Sequence, residues 1–114
     1  MSEYELSPHR YKELKHFCLQ YREIKDKLLS LDLINYICND PTARTAILKT
    51  EYMQALKLIE TTAYDTDFTL FNYILKGVSE DISYSELKIP CSKYMYDYLR
   101  QKFFWLLSNR KGYS

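Results

Sequence analysis

SYSELKIPCSKYMYDYLRQK, residues 83–102, holds two helix-start signals on either side of a proline. Ser83 with Glu86 three residues later has the form of a capping box, in which the serine oxygen and the glutamate carboxylate each take a free backbone N–H. A short helix carrying Tyr84 and Leu87 is expected to follow. Pro90 ends it, because proline inside a helix loses a hydrogen bond and clashes with the carbonyl one turn back, and Ile89 before it is pushed away from helical angles. Ser92 can then cap a second helix, in which Met95, Leu99, Phe103 and Leu106 recur on one face. Beyond residue 102 that helix continues as Phe103, Phe104, Trp105, Leu106 and Leu107, apolar on every side, so something must wrap it. Either the rest of the chain packs around this segment, or Phe104 and Trp105 form part of a partner or dimer interface.

Working backwards from this stretch, the chain reads as helical throughout. It has only two glycines and three prolines in 114 residues, and no segment alternates with the period of two expected of a strand. Ser7-Pro8 is a helix start, since the serine oxygen can accept an N–H and proline at the first position has none to satisfy. Leu14, Phe17, Tyr21, Ile24, Leu28 and Leu31 then line one face of a long first helix. A break is expected around Asn35 to Asp40, and Asp40-Pro41 repeats the cap-and-proline signal for a second helix through about Thr62, burying Ile47, Leu48, Tyr52, Leu56 and Ile59. Asp65 or Thr66 can cap a third helix with Phe68, Phe71, Ile74, Leu75 and Val78 inward and Gly77 as a left-handed C-terminal residue. The expected fold is an all-α compact bundle of four to five helices. It forms one domain over residues 1–114, with a helical scaffold at 7–62 and a helix-turn-helix-like unit at 66–110.

Composition narrows the function classes. A 46% hydrophobic and 16% aromatic content excludes a disordered chain, and no apolar run reaches the roughly 18 residues of a membrane span. The start MSEYELSPHR lacks the basic and apolar regions of a secretion signal, so the expected location is the cytoplasm. Cys18, Cys38 and Cys91 are an odd, widely spaced set that suits reduced thiols. His9 and His16 are seven residues apart, too far for the i, i+4 pair of a helical zinc site. No histidine or carboxylate pair is spaced to activate a nucleophile, and with only Gly77 and Gly112 there is no glycine-rich phosphate loop. The reading is therefore a non-enzyme with no cofactor and no metal.

Charge is near balance at +1 overall but unevenly placed. Residues 1–82 carry ten Lys/Arg against thirteen Asp/Glu, whereas residues 83–114 carry six against two. The basic surplus coincides with the helix-turn-helix-like stretch, whose second helix in a DNA reader enters the major groove by its first residues. Those residues mark a nucleic-acid face of Ser92, Lys93, Tyr94, Tyr96, Arg100 and Lys102: cations for phosphates or guanine, hydroxyls for phosphate oxygens. Asp97 sits among them and would repel phosphate unless it accepts from a cytosine amino group.

Two pieces, LSPHRYKELKHFCLQY at residues 6–21 and IPCSKYMYDYLRQKFFWLLS at residues 89–108, resemble small prophage-encoded proteins of Gram-positive bacteria. The second is also similar to the sigma-region-four-like helix-turn-helix of phage transcription regulators of the RinA and ArpU type. The matching positions are Ser83 and Tyr84, Ser92, Tyr94 to Arg100, Lys102 and Phe103. The interval from Leu87 to Ser92 is about two residues shorter than the usual register. The resemblance implies a regulator in a bacterial host that binds double-stranded DNA or a protein of the nucleic-acid machinery, alone or as a homodimer. It also implies an alternative, a small protein-binding phage inhibitor of a host nucleoprotein machine, as anti-CRISPR proteins are.

Overall fold

The structure, a computed structural model, describes residues 3–38 and 43–112. Among these there is no strand, and the architecture is an all-α bundle of five helices of ten or more residues plus one single-turn helix. Its principal extents are 52 × 32 × 21 Å. The helices are α1 (Pro8–Leu19), α2 (Tyr21–Cys38), α3 (Ala43–Thr66), α4 (Phe71–Glu80), the single turn α5 (Tyr84–Leu87) and α6 (Lys93–Lys111).

Ser7 caps α1 as expected, its hydroxyl accepting from Arg10 N at 3.2 Å. The anticipated long first helix, however, is two helices that break at Gln20. The Gln20 N–H bonds to Phe17 O, and its carbonyl accepts the first bond of α2 from Ile24 N. Packing explains the break: α1 lies against α4 and α6, whereas α2 pairs chiefly with α3. Two sets of neighbours require two axes, and the apolar spacing passes through unchanged, with Leu14, Cys18 and Tyr21 buried and Phe17, Ile24 and Leu28 packed at the edge of the core.

The expected cap at Asp40-Pro41 lies outside the described residues. α3 continues one turn past Thr62, so the division between a scaffold at 7–62 and a unit at 66–110 falls within its last turn. Leu56, Ile59 and Ala63 are buried where α3 meets α4 and α6. Ile47, expected inside, is 59% exposed, because that end of α3 lies beyond the part that α4 and α6 enclose. Thr62 and Thr66 are buried polar residues with their hydroxyls satisfied by Leu58 O (2.6 Å) and Thr62 O (2.7 Å), which removes the cost of an unpaired buried group.

Neither Asp65 nor Thr66 starts the next element. Asp67 does, accepting from Thr69 N (2.9 Å) and Leu70 N (3.2 Å) to cap a 3-10 turn over Phe68–Leu70 that leads into α4. Phe68 on that turn is 69% exposed rather than inward. Ile74 and Val78 are buried as expected, with Phe71 and Leu75 at the core edge. The left-handed residue that closes α4 is Asp81 (φ 51°), not Gly77. Gly77 instead lies inside α4, where the Tyr96 side chain of α6 comes so close that a Cβ would collide with its hydroxyl.

The second half of α6 is the hub of the bundle. Leu99, Phe103, Phe104 and Leu107 join residues of α1, α3 and α4 in the main core, and such burial is worth about 1.5–3 kcal/mol for each large side chain. A smaller core of Leu87, Ile89 and Tyr96, with Leu70, Ile82, Tyr84 and Cys91 around it, holds the segment between α4 and α6. No described helix is long and apolar enough to cross a membrane.

Candidate functional site

The turn between α5 and α6 forms where the sequence places it, by a different route. The Ser83 side chain makes no capping bond, so the expected capping box is not closed. The chain leaves α5 at Lys88, whose left-handed backbone (φ 56°) ends the helix two residues before Pro90. The Tyr84 hydroxyl donates to Cys91 O at 2.5 Å and bridges the turn. Ser92 then caps α6 by accepting from Met95 N at 3.1 Å. With four residues, α5 is a single turn, and it packs on α4.

The buried ridge of α6 keeps Leu99 and Phe103 of the expected register but takes Tyr96 and Leu107 in place of Met95 and Leu106. Tyr96, Leu99, Phe103 and Leu107 are buried, Phe104 beside them, while Met95 is exposed and Leu106 half-buried. This arrangement decides which residues α6 offers to a partner.

Tyr96 is 3% exposed and Arg100 turns inward beside it, its side chain 15% exposed. Arg100 Nη1 donates to the Tyr96 hydroxyl (3.1 Å) and to Gly77 O (3.3 Å), and Nη2 donates to the Tyr11 hydroxyl (3.4 Å). Asp81 lies 3.7 Å away and also meets Lys15 at 3.2 Å. Burial works against the charge on Arg100, but the bonds to Tyr11 and Tyr96 outweigh it and its pKa is raised. This residue ties α1, α4 and α6 together. Phe104 is fully buried in its own core, edge-on to Tyr11 at 4.9 Å between centroids, which removes it from any interface. Of the remaining sequence-predicted residues, Ser92, Lys93 and Tyr94 are exposed, and Lys102 and Trp105 are half-buried.

Opposite the buried ridge, Tyr94, Tyr98, Gln101 and Trp105 recur at i, i+4, i+7 and i+11, so they share the outward face. Tyr94 is 82% exposed. Tyr4, from the segment before α1, lays its ring on Tyr98 (5.6 Å) and Trp105 (5.3 Å). Its phenol is pushed up to about 12, first of all by a hydrogen bond with Tyr98. Tyr4 and Gln101 were missed in the sequence and Tyr98 entered only through the resemblance, although the Tyr94-Tyr98-Trp105 spacing is visible once Tyr96 is placed inside. Beside this face a cavity of about 730 Å³ opens between α1 and α6, with Leu6, Tyr11 and Phe104 on its walls beside the cations Lys12, Lys15 and Arg100 and the carboxylates Glu5 and Asp97.

The described residues hold no group of three or more His, Cys, Asp or Glu that could bind a metal. Cys18 and Cys91 are free thiols, and burial pushes Cys18 up to about 12, which disfavours the nucleophilic thiolate. His9 and His16 are exposed. Comparison of the chain with protein-family models, curated proteins and solved structures finds no match in any of the three.

Proposed function

We propose that this chain is a non-enzymatic regulator that docks on a protein of the bacterial nucleic-acid machinery, the transcription apparatus first, through the outward face of α6. One observation carries the reading: that face displays Tyr94 and Tyr98, with Trp105 half-buried beside Tyr4, while Arg100 and Tyr96 are spent inside the fold. Exposed tyrosine and tryptophan are the anchors of protein interfaces. A major-groove helix instead needs cations and amides directed outward. The prophage resemblance supplies the biological setting, and a phage-encoded inhibitor of a host machine would use the same aromatic face.

A second reading, duplex DNA, is supported by the first turn of α6, where Lys93 and Tyr94 are exposed beside the capping Ser92. With exposed Lys93 and half-buried Lys102 as the cations of this segment, at most about two phosphates would be neutralised, so log affinity should fall against log salt with a slope no steeper than about −2. Titration of the labelled protein with purified bacterial RNA polymerase, and separately with duplex DNA, distinguishes the two. The protein reading expects polymerase binding that is lost with Tyr94→Ala and Tyr98→Ala together. DNA binding that is lost with Lys93→Glu and Lys102→Glu would replace it.

A further inference from the structure

The outward edge of α2 carries two leucines that the fold leaves exposed: Leu29 at 62% and, at the end of α1, Leu19 at 38%. Arg22 and Asp26 stand between them, and the steps of three, four and three residues from Leu19 to Leu29 put all four in one stripe. Arg22 and Asp26 border both grooves that flank α2, Leu19 the groove shared with α3 and Leu29 the groove shared with α4. The stripe is therefore the ridge between the grooves, while Ile24 and Leu28 on the other side of α2 pack against the core. Asp26 has no ion pair or side-chain hydrogen bond among the described residues. Arg22 holds Glu80 through Nη1 at 3.0 Å with its side chain 73% exposed, which leaves further guanidinium N–H groups to donate.

We infer that this stripe is the contact of an antiparallel homodimer, a second copy of the chain being the partner that it fits. The stripe is self-complementary. With a two-fold axis beside Ile24, Leu19 meets the partner's Leu29 and Arg22 meets the partner's Asp26, and each contact occurs twice. The same stripe set parallel would put arginine on arginine and aspartate on aspartate, so the charged pair fixes the orientation that the leucines alone leave open. The flanking charges, which face their own kind across the axis, are engaged within each chain: Glu23 pairs with Lys27 at 3.0 Å, and Lys25 lies over the Tyr21 ring at 5.8 Å. Four residues a side make a small contact, so the dimer is weak and concentration-dependent. It uses no residue of α6 and stands or falls apart from the reading of that face.

Analytical ultracentrifugation of the full chain at low salt, from micromolar to millimolar concentration, reads the equilibrium between monomer and dimer. The wild type should dimerise as concentration rises. Arg22→Glu and Asp26→Lys each turn two attractive contacts into two repulsive ones, so each variant alone should dimerise roughly tenfold more weakly. An equal mixture of the two variants should dimerise again, because each supplies the charge that the other lacks, a gain that no misfolded variant can produce. Leu29→Ala should weaken the wild-type dimer, and at an exposed helical position it leaves the fold intact. A wild type that stays monomeric throughout overturns the proposal. A dimer indifferent to Arg22→Glu, Asp26→Lys and Leu29→Ala, or a mixture of the two charge variants that stays monomeric, overturns it as well.

Discussion

The Tyr96 hydroxyl of α6 lies against the α carbon of Gly77 in α4, and Arg100 Nη1 binds both the hydroxyl and the Gly77 carbonyl. Two helices are joined where one has no side chain and the other presents a phenol. Helix propensity alone would favour Gly77→Ala by about 0.5–1 kcal/mol. Tyr96 is held by Ile82 O at 3.4 Å and by the small core around it, so its ring cannot swing aside, and overpacking costs about 1–3 kcal/mol. Gly77→Ala should therefore destabilise the chain in urea unfolding, and adding Tyr96→Phe should recover part of the loss. A more stable Gly77→Ala protein would contradict the contact.

Arg100 separates a structural role from a DNA-reading one. Replacing it with methionine removes the donor to the Tyr11 and Tyr96 hydroxyls, while Gly77 O keeps the N–H groups of Asp81 and Ile82. Each bond of this kind to a charged group is worth about 1.5–3 kcal/mol, so a loss on the order of 2 kcal/mol is expected in chemical denaturation, with near-wild-type helicity below the transition. An Arg100→Met protein of unchanged stability would show instead that the guanidinium is dispensable to the fold.

Asp67 links the cap before α4 to pH. Its carboxyl is held below its ordinary value, chiefly by the Thr69 hydroxyl at 2.6 Å, with the Leu70 and Thr69 N–H groups adding to it. A depressed folded-state pKa means that the stabilisation is present above the unfolded value of about 3.9 and is lost as pH falls through the folded one. Asp67→Asn keeps an oxygen to accept the N–H bonds but no longer titrates. The stability gap between wild type and Asp67→Asn should shrink as pH falls from 6 to about 3. A gap that stays constant through that interval would remove Asp67 from the acid response.

What was legible in the sequence was local. Ser7 and Ser92 cap their helices because a serine oxygen needs only the next turn, and the apolar tail of α6 had to be wrapped whatever did the wrapping. What was not legible depends on neighbours. The break at Gln20 carries no proline or glycine and follows from α1 and α2 packing on different helices. The ridge of α6 was legible at Leu99 and Phe103 and misplaced at its two ends, at the first because Met95 and Tyr96 are both plausible inward residues and the gap opened by Gly77 admits the phenol. With Tyr96 inside, Arg100 four residues on also turns inward, and Tyr98 is left on the outward face. Similarly, Asp81 adopts the left-handed backbone that Gly77 was expected to supply, because Gly77 is needed earlier, at the crossing with α6.

The orientation of α6 and its consequence for binding are tested most directly by one titration. The labelled protein is followed by anisotropy against bacterial RNA polymerase and against duplex DNA, at about 0.3 M salt, where surface charge is largely screened. The expected result is polymerase binding at least tenfold weaker for Tyr94→Ala/Tyr98→Ala than for the wild type, with no binding to DNA. Polymerase binding indifferent to those two tyrosines, or DNA binding at this salt that is abolished by Lys93→Glu/Lys102→Glu, would contradict it.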